Sequence, residues 1–166
     1  MSVSDEPAAP TKTDYDVIIV GGRIAGATLA ARLGKRGLRV LVVDRATFPS
    51  YPGVPSSPAI HSGAMALLDE IGIEESAYAD EHACMRELML DVAGVFQTRF
   101  RVPPVKTGRR YVQGIDRRSF DDMLWRHLDQ FASVEKRSCF NVTNVIRHDE
   151  RIVGIVGGGK GESPQE

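Results

Sequence analysis

At 166 residues, 42% of them hydrophobic, the chain has room for one domain with a real core and not for two large ones. Its formal net charge of −1 gives no electrostatic footprint for nucleic acid or an anionic membrane surface. No apolar run approaches the ~20 residues that span a bilayer.

Residues 1–14 (MSVSDEPAAPTKTD) lack the apolar core of an export signal and read as a disordered leader. Asp16 to Val20 is a short Val- and Ile-rich run, as expected of a strand covered on both faces. Gly21, Gly22 and Gly26 follow at once, where the backbone must turn sharply and open a helix. Ile24, Ala27 and Ala31 recur at helical spacing with Leu29 and Leu33 alongside, a mostly small apolar surface to lie on a sheet. Arg32, Lys35 and Arg36 suit the negative end of the helix dipole, and Gly34 or Gly37 can stop the helix. Arg39 to Val43 is the next buried strand, and Asp44 closes it.

This strand–glycine turn–helix–strand–acid unit suits the pyrophosphate and ribose of a dinucleotide. The helix N-terminus offers unpaired N–H groups and a positive dipole end to phosphate, and an acid about 20 residues on can accept from a ribose hydroxyl. One position departs from the G-x-G-x-x-G pattern: the run is Gly21-Gly22-Arg23-Ile24-Ala25-Gly26, so Arg23 holds the middle glycine position. Two readings of Arg23 stay open. Its guanidinium can turn to a phosphate oxygen as a charge-assisted donor, or it is a solvated arginine of the first helical turn.

Beyond Asp44, four prolines in Phe48 to Pro58 force an irregular extended loop. A helix is expected next, with Ser57 as cap, Pro58 in the first turn, an apolar face of Ile60, Ala64, Leu67, Leu68 and Ile71, and Gly72 as the stop. Glu87 to Asp91 and Val95 to Arg101 read as strands joined by a tight turn at Ala93-Gly94, with Arg99 and Arg101 on a face read most simply as solvated, substrate binding being the alternative. Tyr111 to Gln113 is a candidate third strand. Asp116 then caps a helix carrying Phe120, Leu124, Leu128 and Phe131 on one stripe, with Met123 and His127 beside it. Val134 to Val145 and Arg151 to Val156 are strand-like around a polar turn at His148-Asp149-Glu150. The expected class is α/β: a Rossmann-type βαβ unit with an antiparallel element inserted at about residues 86–113.

The remaining landmarks are weak. Cys84 and Cys139 stand in unrelated contexts, as free thiols of a reducing cytoplasm would. His82 lies near Cys84, but no second pair follows at zinc spacing, so no metal is expected. Gly154 to Gly161 (GIVGGGKG) nearly matches a phosphate loop, yet Gly161 stands where Ser or Thr is needed and no helix can follow. Residues 158–166 read as a flexible tail. None of Tyr15, Tyr51, Tyr78 or Tyr111 has a lysine four residues later, which argues against a short-chain nicotinamide dehydrogenase.

With the glycine turn, the pair Asp44-Arg45, the FPS loop after it and Arg117-Arg118-Ser119-Phe120-Asp121-Asp122-Met123-Leu124 in this order, the chain resembles the flavoprotein monooxygenases of the p-hydroxybenzoate hydroxylase fold and their geranylgeranyl-reductase-like relatives. The helix matches the family's R-x-x-[LF]-D-x-x-L pattern. The resemblance covers about residues 15–157 and implies an FAD-binding domain there. It places Gly21, Gly22, Arg23, Ile24, Ala25 and Gly26 along the pyrophosphate, Asp44 on the adenosine ribose and Arg45 beside the adenine. It also implies that Arg117 reaches the ribityl or phosphate region and that the Val142 backbone meets the adenine; read from the residues alone, Val142 is plain core.

The family's G-A-D-G segment has no counterpart here, so the chain is expected to be the N-terminal portion of an enzyme, truncated or one piece of a split one. The expected function is FAD binding for an FAD-dependent oxidoreductase with NAD(P)H as reductant, acting on a small-molecule substrate, with a complementary polypeptide as a candidate partner. The alternative is a non-catalytic FAD-binding remnant. No residue stands out as a catalytic acid or base.

Overall fold

The computed structural model describes residues 14–159 except Val54, Glu81 and His82. Residues 1–13 of the leader, most of the tail read from the sequence, and His82 lie outside the described residues.

Three parallel strands form the sheet that carries the site. β1 (Val17–Val20) pairs with β2 (Val40–Val43), and β2 pairs on its other side with β8 (Val134–Arg137), in the order β1-β2-β8. All four β2 residues are buried, as the apolar run demanded of a central strand. Between β1 and β2 runs α1 (Ile24–Gly34), which contacts β1, β2 and β8 and packs against two further helices. Ala27, Ala30 and Ala31 are buried at its sheet-facing side, where small residues let helix and sheet approach closely. Leu29, expected on that face, is 46% exposed instead.

The proline loop leads into β3 (Ala59–His61) and α2 (Ser62–Ile71). This corrects the expected helix start. Residues 59–61 are extended because they pair with β7 (Val112–Gly114), and the cap is His61, whose Nδ1 accepts the Gly63 N–H at 3.1 Å. Gly72 ends α2 in the left-handed conformation, φ +87°, as its position predicted. Met65, Leu68 and Ile71 are its buried face.

β4 (Cys84–Met85) pairs with the other side of β7, giving a three-stranded antiparallel sheet in the order β3-β7-β4. β5 (Glu87–Val92) and β6 (Phe96–Arg101) form a separate hairpin, turning at Ala93 and Gly94 with φ +50° and +72°. The third strand therefore belongs to a different sheet from the hairpin, and it is covered from both sides.

α3 (Arg117–His127) begins at the expected cap: the Asp116 carboxylate accepts the Ser119 N–H at 3.0 Å. Phe120, Leu124 and Trp125 are buried on it and join the core with Met65, Leu68 and Leu128. The long run after it is two strands, not one. Cys139, at φ +58°, breaks it between β8 and β9 (Asn141–His148), which forms an antiparallel hairpin with β10 (Arg151–Gly158). Gly154 to Gly158 are strand, so the start of the phosphate-loop-like pattern is sheet edge.

Candidate cofactor-binding site

The turn after β1 depends on its glycines for conformation and for close approach. Gly21 has φ +108°, a conformation rarely open to other residues, and its N–H is tied to the Val43 carbonyl at 2.8 Å. A Cβ on Gly26 would collide with the Gly21 carbonyl, so helix and strand approach as closely as the third glycine of the pattern allows. A Cβ on Gly22 would enter the indole of Trp125. Trp125 was not singled out from the sequence. Its only signal was being the sole tryptophan, one place beyond Leu124 on the α3 stripe.

Asp44 is the second element. Its carboxylate is 8% exposed and reaches back across the turn: Oδ2 accepts the Gly22 N–H at 2.7 Å and Oδ1 the Ala46 N–H at 2.8 Å. Its main chain joins the far strands, since Asp44 N–H donates to Arg137 O and Asp44 O accepts from Phe140 N–H, both at 2.9 Å. An ionised carboxylate has about four acceptor sites, so two occupied ones leave capacity for ribose hydroxyls.

Above these groups lies a cleft of about 760 Å³, within the size range of cofactor sites. Gly21, Arg23, Asp44, Arg45, Tyr51 and Val142 are among its lining residues. Five of the residues inferred from sequence thus come together: Gly21, Arg23, Asp44, Arg45 and Val142. Gly22 and Gly26 shape the turn beneath. Ile24 and Ala25 open α1 and line a neighbouring apolar recess with Leu29, Leu67 and Phe120.

Arg117 is not among the residues lining the cleft. Its Nε and Nη2 donate to Asp121 Oδ1 at 3.2 and 3.1 Å, Nη2 also reaches Oδ2 at 3.0 Å, and Nη1 donates to the Ser56 hydroxyl. The Asp121 carboxylate is fully buried and takes a second cation, Arg23, at 2.6 Å. Two guanidiniums on one carboxylate leave a formal excess of one positive charge in this cluster, whose Arg23 also lines the cleft.

The residues fit an FAD diphosphate. The N-cap of α1, Arg23, makes no side-chain cap hydrogen bond, and the first turn holds no acid. First-turn amides have no intrahelical acceptor, so this end is left to an anion. The glycine turn gives that anion room, and Asp44 stands where a ribose would follow. Among the described residues, no group of three His, Cys, Asp or Glu is placed to hold a metal ion.

Residues 14–164 match the family model described as "FAD binding domain". The chain belongs to that family.

Among curated proteins it is 35% identical over 106 residues to a glycerol-3-phosphate dehydrogenase of Pseudomonas tolaasii, covering 62% of this chain and 20% of that one. The fold is shared with a flavin-dependent brominase (TM-score 0.70, 21% identity, 91% of this chain and 35% of that one). It is shared too with a geranylgeranyl bacteriochlorophyll reductase-like protein of Thermoplasma acidophilum (0.66, 21%, 89% and 36%). A p-nitrophenol 4-monooxygenase of Pseudomonas putida is similar to the same extent (0.67, 20%, 90% and 38%). The chain therefore spans about a fifth of the curated relative and a little over a third of the solved flavoenzymes. These findings agree with the family and the α/β class inferred from the glycine turn, the acid and the α3 helix.

Proposed function

We propose that this FAD-binding domain is the cofactor-holding portion of an FAD-dependent oxidoreductase that takes its electrons from NAD(P)H, with its substrate and reducing-cofactor sites completed by further chain or by a complementary polypeptide. The observation that carries the reading is the Gly22–Asp44 contact at the mouth of an uncapped helix, which joins a phosphate site to a ribose site. When bound, the flavin supplies the redox chemistry, and the protein supplies position and shielding.

The chain's own contributions follow from its groups. The α1 amides of residues 24–26 would hold the diphosphate, the free acceptor sites of Asp44 the adenosine ribose, and Arg45 and the Val142 backbone the adenine side of the cleft. Among these residues none is placed as a general acid or base toward a substrate. Either a hydroxylation or the saturation of a double bond is open to the flavin of a whole enzyme, and this portion would serve both.

No helix among the described residues is long and apolar enough to cross a membrane. The domain is proposed to work in the cytoplasm.

The test is titration of the purified chain with FAD, read by flavin absorption and by melting temperature. Saturable binding with a rise in melting temperature is expected, since a ligand of the folded state stabilises it by mass action. Protein purified free of nucleotide and unmoved by excess FAD would refute the reading. A bound flavin that NAD(P)H cannot reduce would favour instead a non-catalytic FAD-binding remnant.

A further inference from the structure

Arg23 stands where the glycine pattern expects no side chain, and the structure shows what the side chain does there. Its backbone is ordinary for any residue (φ −85°, ψ −161°), so nothing in the turn requires glycine at this position. The side chain is 21% exposed, and its donors reach the loop at Ser50 and Tyr51 and the α3 residue Asp121. Nη1 donates to the Ser50 carbonyl at 3.0 Å and to Asp121 Oδ2 at 2.6 Å. Nη2 donates to the Ser50 hydroxyl at 3.0 Å and to the Tyr51 carbonyl at 3.1 Å. All four terminal N–H groups are thus in use. The plane also lies 5.4 Å over the Phe48 ring, which stacks on Trp125 at 4.5 Å. This is not the arrangement of a solvated arginine.

We propose that Arg23 is a positioning residue: it straps the loop at residues 48–51 to helix α3 through the buried Asp121, and so pre-forms one wall of the cofactor cleft. That wall is otherwise irregular. Thr47, Ser50, Tyr51, Pro52 and Gly53 line the cleft and belong to no helix or strand. A lysine could not replace the strap, because one ammonium cannot hold four acceptors in the plane of a guanidinium fork. The chemistry is reciprocal. A fully buried carboxylate is costly without partners, and Arg23 and Arg117 together supply the cations that make Asp121 tolerable. Holding the wall in its ligand-ready position before binding removes an ordering cost from the binding step. The binding consequence rests on the FAD reading above; the strap itself does not.

Two measurements on the full chain separate the two. Hydrogen exchange of the ligand-free protein tests the strap. In Arg23→Gly and in Arg23→Lys, the backbone amides of residues 46–53 (prolines aside) are expected to exchange at least tenfold faster than in the wild type, while those of β1 and β2 are unchanged. Unaltered loop exchange in a folded variant would overturn the proposal, and the lysine variant decides the matter should the glycine variant fail to fold. FAD titration then reads the consequence: both variants are expected to bind at least tenfold more weakly than wild type. Wild-type affinity in Arg23→Lys would mean that charge alone matters for binding, and would overturn the binding consequence, the strap itself being decided by exchange. If the wild type itself binds no FAD, the functional reading fails and the exchange measurement still decides the strap.

Discussion

The indole of Trp125 fills the space that a side chain at Gly22 would need, and the two meet beneath the Asp44 carboxylate. Glycine at position 22 is therefore demanded by packing alone, with no ligand present. The indole is held in turn by Phe48, stacked at 4.5 Å and 8°, and by Lys136, whose Nζ lies 5.5 Å from the ring and donates to the Trp125 carbonyl at 2.9 Å. One tryptophan thus ties the turn, the proline loop and the end of the parallel sheet together.

Gly22→Ala should consequently destabilise the fold even without cofactor. Forcing a methyl group into a packed interior costs about 1–3 kcal/mol. Chemical denaturation of the variant should show a lower midpoint with an unchanged slope. A midpoint equal to that of the wild type would mean that the indole moves aside freely.

Trp125 is also the only tryptophan in the chain, which makes it a reporter of the site. FAD entering the cleft above Gly22 is expected to quench its emission saturably, with the same dissociation constant as the flavin signal. Emission unaffected by a flavin that binds by absorption would place the cofactor elsewhere.

Local chemistry explains what was legible in the sequence. The glycine turn, Asp44, the Asp116 cap and the Gly72 stop each act over a few residues or at a fixed spacing, and each is where the sequence put it. The rest depended on distant partners. β3 looked like the first turn of a helix because Ser57 and Pro58 favour that, and only β7, more than fifty residues away, makes it a strand. The run at residues 134–145 is broken because Cys139 turns so that its own N–H and that of Phe140 reach Ala46 and Asp44. Phe120, on the expected stripe of α3, is 3% exposed and finds its partner far back in the chain, packing edge-on against Tyr78 at 5.5 Å. The partnership of Arg23 with Asp121 spans 98 residues and has no local signal at all.

Asp44 gives the sharpest binding test. Asp44→Ala leaves the Gly22 and Ala46 amides without their acceptor in a buried site, a loss of about 1–3 kcal/mol in stability. The same variant should weaken FAD binding by roughly tenfold or more, as expected when a charged acceptor of about 1.5–3 kcal/mol is removed. Calorimetric titration checks this. An unchanged dissociation constant would show that the acid serves the turn alone.

Tyr78 gives a pH signature. Burial, the largest cause, pushes its phenol up from 10.0 to about 12, with Glu75, Asp69 and Tyr111 adding to burial and Arg109 opposing it. The folded state thus keeps the proton where the unfolded state has released it. Stability from this group is fully present below pH 10 and is lost as pH rises from about 10 to 12. Tyr78→Phe removes that loss, so the gap between variant and wild type should widen in the variant's favour over this window. At neutral pH the variant should already be more stable by about 1 kcal/mol, because the buried hydroxyl has no hydrogen-bond partner among the described residues. A destabilised variant at neutral pH would reveal a partner for the hydroxyl.

The β5–β6 hairpin leads to the last expectation. Residues opposite one another share a face, so Val92, Leu90 and Leu88 lie with Phe96, Thr98 and Phe100 on one side of this two-stranded sheet. Phe96 is 55% and Phe100 47% exposed, and Val95 at the turn is 89% exposed. A two-stranded ribbon also leaves both outer edges without a ladder partner among the described residues, and an open edge beside an apolar face invites a second chain. The isolated chain is therefore expected to associate as its concentration rises, by sedimentation velocity. The double variant Phe96→Lys, Phe100→Lys should shift the distribution to monomer while leaving the unfolding midpoint nearly unchanged, since exposed substitutions of this kind stay within about 0.5 kcal/mol. A wild-type chain that remains monomeric at high concentration would show that the twist and charge of the opposite face, with Glu87, Asp91, Arg99 and Arg101, are enough to keep the hairpin apart.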